Sequence, residues 1–302
     1  MKRESRTSLL VMIIGVVVCL ACRIYQIVGC TDMTTGFLYY EYGIFADLVY
    51  YLPLALVFAA MIVAADHDRK HGRLSGECVS DIVDAKAGVI GFGMLLTGMG
   101  AAFSGLEKMN SSYASGFSTY VDFIGGTAMI VIAFVTLYKK EFSPGLGFSY
   151  AVGAIYFTLR GVLVFLERMV IVTVPEYLLN CLTAIFAGVF FMLFTKLFSG
   201  NGQKRTRASL CVFGVLTAVL SISSALAVII SKFVAPSAVA DRITMTRQSA
   251  FIYYQSNGGR DAYLMTFVPW VDLAVGLLAA AVVVALVIGE RKKPQEIEPS
   301  NG

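Results

Sequence analysis

Eight stretches of this chain are apolar and close to the ~20 residues that an α-helix needs to cross a bilayer core. They fall at about 8–28, 44–65, 87–106, 119–138, 148–166, 176–198, 208–230 and 263–289. In hydrocarbon a backbone must satisfy its own hydrogen bonds, so runs of this length predict helices. The roughly ten-residue alternating pattern of a membrane β-barrel does not occur. Composition agrees: 57% of the 302 residues are hydrophobic and only 15% are charged, against about a quarter charged in soluble domains. With a mean hydropathy of +0.75, the chain lacks the polar surface to cover itself in water. The expected fold is all-α, a polytopic transmembrane bundle of about eight helices forming a single integral membrane domain over residues 1–302.

Lysine and arginine set the expected orientation. They concentrate at the N-terminus (Lys2, Arg3, Arg6), in the 66–86 and 139–147 loops, in the 196–207 segment and in the tail (Arg291, Lys292, Lys293). Only Lys108, Arg168, Lys232, Arg242, Arg247 and Arg260 fall in the alternate loops, and Arg23 and Arg160 lie within spans. The positive-inside rule then puts both termini in the cytoplasm. Phe37, Tyr39, Tyr40 and Tyr42 crowd the outer entrance of the second span, as an interfacial belt does. The start, MKRESR followed by apolar residues 9–21, also has the form of a signal peptide. Because the apolar run continues past Arg23, a first transmembrane helix is the expectation.

The chain divides into four helical hairpins. The second helix of each opens near an acid: Asp47 in IFADLVYY, Asp122 in TYVDFIGG, Glu176 in TVPEYLLN and Asp272 in PWVDLAVG. This repetition is compatible with two parallel four-helix halves related about the membrane normal. An acid near a helix N-terminus also complements the macrodipole without any duplication. In the third span Gly93, Thr97, Ala101 and Gly105 recur every four residues, a spacing that predicts a close-packed seam. Pro53 should kink the second span, and Pro175 and Pro269 suit helix starts. Residues 239–254 have the pattern of a short surface helix, with a hairpin turning at Asn257-Gly258 as the alternative.

Several kinds of chemistry find no support. HExxH, GxGD, GxSxG, P-loop and dinucleotide fingerprints are absent, and the two histidines, His67 and His71, both sit in the 66–86 loop region. Neither an enzyme nor a cofactor is expected. His67 and His71 have metal-ligand spacing within DHDRKH, but Arg69 and Lys70 between them repel a cation, so no metal site is assigned. The six cysteines do not form an exported disulfide framework, and the CxxC of Cys19 and Cys22 suits helix packing. Asn110-Ser111-Ser112 fits a glycosylation sequon. No basic stripe interleaved with aromatics points to nucleic acid. The expected partners are the lipid bilayer and either a small solute or another membrane protein.

What remains is a layer of charges within the membrane: Arg23, Asp47, Asp122, Arg160, Glu167, Glu176 and Asp272. By helical rise all fall in the outer third of the bilayer, and ionisable residues at such depth are candidates for function. The structural alternative is that the arginines snorkel and the acids cap helix starts. Arg23, ~7 Å below the outer boundary, is matched in depth by Asp47 at ~5 Å on the following helix, so these two are expected to pair. CRIYQ, followed by a short loop with TTGF, resembles a group of uncharacterised multi-spanning membrane proteins of anaerobic Gram-positive bacteria. The resemblance implies a plasma-membrane setting and no particular activity. Two functional classes follow, a small-solute transporter or permease-like bundle, and a non-catalytic sensor, scaffold or accessory subunit of a cell-envelope complex. For the orientation, an impermeant maleimide applied to intact cells should reach Cys30 and leave Cys78 unlabelled; labelling of Cys78 would invert the topology.

Overall fold

In the computed structural model the described residues are 7–30, 42–70, 87–110, 116–139, 148–168, 175–201, 204–234 and 268–288. They form eight helices: α1 (Thr7–Gly29), α2 (Gly43–Lys70), α3 (Ala87–Asn110), α4 (Phe117–Lys139), α5 (Ala151–Arg168, led by a 3-10 turn at Phe148–Tyr150), α6 (Pro175–Lys196, continued as a π-turn over Leu197–Asn201), α7 (Lys204–Val234) and α8 (Val268–Ile288). All eight are long and apolar enough to cross a membrane, and no strand occurs among the described residues. The chain is thus a multi-pass, all-α bundle, as its apolar runs predict. Pro53 lies inside α2, Pro175 opens α6, and Pro269 is the second residue of α8. The segment at 239–254, His71 and Cys78 lie outside the described residues.

The four hairpins α1–α2, α3–α4, α5–α6 and α7–α8 are all packed pairs. Helix α7 is the centre of the bundle, touching α1, α2, α6 and α8; 78% of its membrane-competent window is buried, against 28% for α4. Its sequence explains the role. Thr217, Ala218, Ser221, Ser223, Ala225 and Ala227 are all buried, and small residues around the whole circumference let neighbours approach from every side. A second chain of contacts, α7–α8–α3–α4–α5–α6 and back to α7, closes into a ring.

The packing does not repeat between the halves. In a parallel duplication α3 would correspond to α7, yet α3 packs mainly on α4 and α8 while α7 is enclosed by four helices. An acid near the start of each second helix complements the helix dipole whether or not the halves are related. The seam on α3 also differs from expectation. Four residues turn a helix by one revolution plus about 40°, so a four-residue stripe winds off its face. Gly93 lies against Leu278 of α8, whereas Gly105 lies against the backbone of Phe123 on α4. Cys30 is fully buried, so its thiol is a poor reporter of sidedness and Cys78 carries that test.

The closest approach in the bundle is between α3 and α4. A Cβ added at Gly126 would lie 2.3 Å from the Ala102 nitrogen and 2.7 Å from the Gly98 oxygen, and one at Gly105 would lie 2.6 Å from the Phe123 nitrogen. These are backbone atoms, so rotamer changes cannot make room. Gly126→Val should destabilise the protein by about 1–3 kcal/mol or more, the range for overpacking, seen as a lower detergent-phase melting temperature and less folded protein. Gly88→Ala, where nothing lies within 4 Å, should change neither; equal behaviour of the two variants would contradict the α3–α4 contact.

Candidate functional site

The glycine contacts between α3 and α4 place the last turns of α3 beside the first turns of α4. Lys108 Nζ consequently reaches Asp122 Oδ2 at 2.5 Å, and Ser104 Oγ lies 3.4 Å from the same oxygen. The other carboxylate oxygen, Oδ1, accepts the Tyr156 hydroxyl of α5 at 3.0 Å. One turn further along α5, Arg160 Nη2 pairs with Asp272 Oδ1 of α8 at 3.1 Å. The side chains are 15% (Lys108), 5% (Asp122), 10% (Arg160) and 7% (Asp272) exposed, so all four charges belong to the bundle interior. Four helices thus each contribute to one cluster, which holds two cations and two carboxylates among the described residues. Tyr156, which donates to Asp122 and lies one turn from Arg160 on α5, links the two ion pairs.

Position along the helices matters. Asp122 and Asp272 sit in the second turns of α4 and α8, whereas Arg160 and Tyr156 sit near the middle of α5. The cluster therefore reaches deeper along α5 than a layer at the outer rim. Arg160 Nη1 is buried and has no hydrogen-bond partner among the described residues. An unmatched buried donor costs about 1–3 kcal/mol, and a network with one unmet member is worse than an apolar core. The ion pairs themselves do not justify their presence by stability, because well-packed apolar side chains serve as well or better.

Arg23 is built differently. It is fully buried, donates to the Gln26 Oε1 on its own helix, and lies 5.7 Å from the Tyr50 ring centroid. Gln26 Nε2 in turn donates to the Ala46 carbonyl of α2 at 2.8 Å, and the Tyr50 hydroxyl meets Ser223 Oγ of α7 at 2.9 Å. The guanidinium is thereby tied into a clasp across α1, α2 and α7 through amide and aromatic groups. Asp47 is not its partner: it is exposed, while Ala46 and Tyr50 face the clasp. Ala46 and Tyr50 are one turn apart, and Asp47 is rotated ~100° away from Ala46. Depth along two helices matched these residues; rotation separates them.

Of the sequence-derived layer, the structure brings Asp122, Arg160 and Asp272 together and sets Arg23 and Asp47 apart from them. The side chains of Glu167 and Glu176 lie outside the described residues, although their backbones belong to α5 and α6. Sequence reasoning missed Ser104, Lys108 and Tyr156. Lys108 lies beyond the apolar run that ends near residue 106, but the helix itself runs on to Asn110. The available signal was the pairing of Tyr156 and Arg160 one turn apart on α5. At the opposite end of α2, Asp66 and Lys70 form an i,i+4 pair at 2.6 Å, and no set of three metal-ligating side chains occurs among the described residues. No protein-family model, curated protein or solved structure matches this chain.

Proposed function

We propose that this protein is a small-solute transporter, permease-like, of the plasma membrane, and that its solute site is the cluster of Lys108, Asp122, Tyr156, Arg160 and Asp272. The supporting observation is the convergence of four charged side chains from four helices inside a membrane-competent bundle, none more than 15% exposed. Charges in spans are costly, and their pairing offers no stability that apolar packing could not supply. A ligand site built from several helices gives such an arrangement a purpose. The Lys and Arg distribution supports cytoplasmic termini, with Asp122 and Asp272 near the outer ends of their helices.

A second reading, a non-catalytic sensor, scaffold or accessory subunit of an envelope complex, draws support from one feature. Both oxygens of Asp122 are engaged, as in a purely structural tie. Reconstitution separates the two. Purified protein in liposomes should give saturable uptake of at least one member of a labelled panel of amino acids, monocarboxylates, sugars and polyamines. Arg160→Lys should lower that uptake at least tenfold while the amount of folded protein in the vesicles stays normal. Flux equal to that of empty vesicles across the panel, or uptake falling only in proportion to folded protein, would favour the scaffold.

A further inference from the structure

Helix α7 is enclosed by its neighbours except along one short strip. Between Thr206 and Ala225 every residue is buried but Ala208, Ser209, Val212 and Phe213. These four share one face, because residues four apart are neighbours on a helix surface. They form one wall of a groove of about 280 Å³, and Phe58, Ile62, Ala65 and Asp66 of α2 form the other. Phe58 and Ile62 are 40% and 50% exposed within a span long and apolar enough to cross a membrane, so the groove opens sideways toward hydrocarbon.

The groove is graded in polarity along its length. Helix α2 ends and α7 begins at this face of the bundle, so Asp66 and Ser209 mark the rim. By helical rise Phe58 lies ~12 Å deeper than Asp66 along α2, and Phe213 lies ~6 Å deeper than Ser209 along α7. The charge at the rim is predominantly positive. The end of α2 from Asp66 to Lys70 and the first turn of α7 from Lys204 to Arg207 carry Arg69, Lys70, Lys204, Arg205 and Arg207 against Asp66 and Asp68. Asp66 is itself paired with Lys70 at 2.6 Å.

An apolar, aromatic slot below a cationic rim matches an amphiphile with an anionic head. Basic pockets between transmembrane helices take phospholipid head groups on the same grounds. A second copy of the chain would bring an identical cationic rim to the same end, and like charges disfavour that contact. From this we infer that the groove holds an acyl chain of an anionic phospholipid from the adjoining leaflet, with its phosphate at the rim formed by the ends of α2 and α7. The site lies on other helices than the charge cluster and stands whether or not that cluster carries a solute.

The test is native mass spectrometry of the purified full-length protein, released from mixed micelles with equal amounts of phosphatidylglycerol and phosphatidylcholine of the same chains, one of them deuterated. One phosphatidylglycerol should stay bound, at least fivefold more often than phosphatidylcholine. Ser209→Trp, which fills the groove from its half-buried wall, should lower that adduct at least fivefold; Ala208→Leu serves if Ser209→Trp does not fold. Phe92→Trp, on an exposed face of α3, should leave the adduct unchanged. Lys204→Gln combined with Arg205→Gln should keep a lipid bound but remove the preference. Free glycerol phosphate in excess should not displace the lipid, and displacement would overturn the role of the chain. Equal retention of both lipids by the unmodified protein would overturn the anionic head group. No retained lipid, or an adduct that survives the filled groove, would overturn the site. A lipid-free dimer that Ser209→Trp converts to monomers would put a second copy there instead.

Discussion

The ion pair between Arg160 and Asp272 joins α5 to α8, two helices that share little other contact. It runs across the ring of helices α3 to α8, whose main contacts are between ring neighbours. The rest of the cluster is arranged around it. Tyr156, one turn from Arg160, carries the connection to Asp122, and Asp122 carries it to Lys108 on α3. Interhelical hydrogen bonds in membranes are individually modest, about 0.6 kcal/mol on average. Leaving one buried charge without its partner costs about 3–5 kcal/mol. The network therefore acts mainly by penalising any arrangement of the helices that breaks it, and it specifies which faces of α3, α4, α5 and α8 point inward.

Close packing makes that specification possible. Gly126 and Gly105 bring α3 and α4 to backbone contact, so Lys108 meets Asp122 without spanning a gap. On the other side of the bundle, the small and hydroxyl residues of α7 let α1, α2, α6 and α8 gather around one helix. There Arg23 is held by a carboxamide, a ring and, through Tyr50, a serine hydroxyl. The protein thus uses two ways of housing a guanidinium: an ion-paired one inside the ring and an amide-and-ring clasp at the α1–α2–α7 junction. The first sits among charges that answer one another, which is why the functional reading centres on it.

Much of the fold was legible in the sequence because apolar length is a one-dimensional signal. The eight runs became eight helices with ends shifted by a few residues, as at Lys108, where α3 runs past its apolar stretch to Asn110, and at Lys70, where α2 ends. The depth of a charge was legible for the same reason: position along a helix is counted in residues. Rotation was not. Asp47 and Asp122 both start helices near one face, yet Asp47 is exposed and Asp122 is 4% exposed at the centre of a network. Which side of a helix is inward depends on its neighbours, and α3 beside α8 or α1 beside α7 are contacts between segments far apart in the chain. Hydrophobicity on all sides, as on α8, erases the periodicity that would have announced an inward face. The four-residue seam misled for a related reason, since its helical drift carries Gly93 and Gly105 to different partners.

The central claim is that Arg160 and Asp272 answer each other's charge across the bundle interior. The most direct measurement is a double-mutant cycle on folded protein in detergent, read by thermal unfolding, with Arg160→Met, Asp272→Leu and both together. Each single variant leaves one buried charge and should lower the unfolding free energy by about 3–5 kcal/mol. The double variant removes both charges and should regain most of that loss. Losses that simply add in the double variant would show that the two side chains do not share a contact, and would remove the cluster around which this structure is organised.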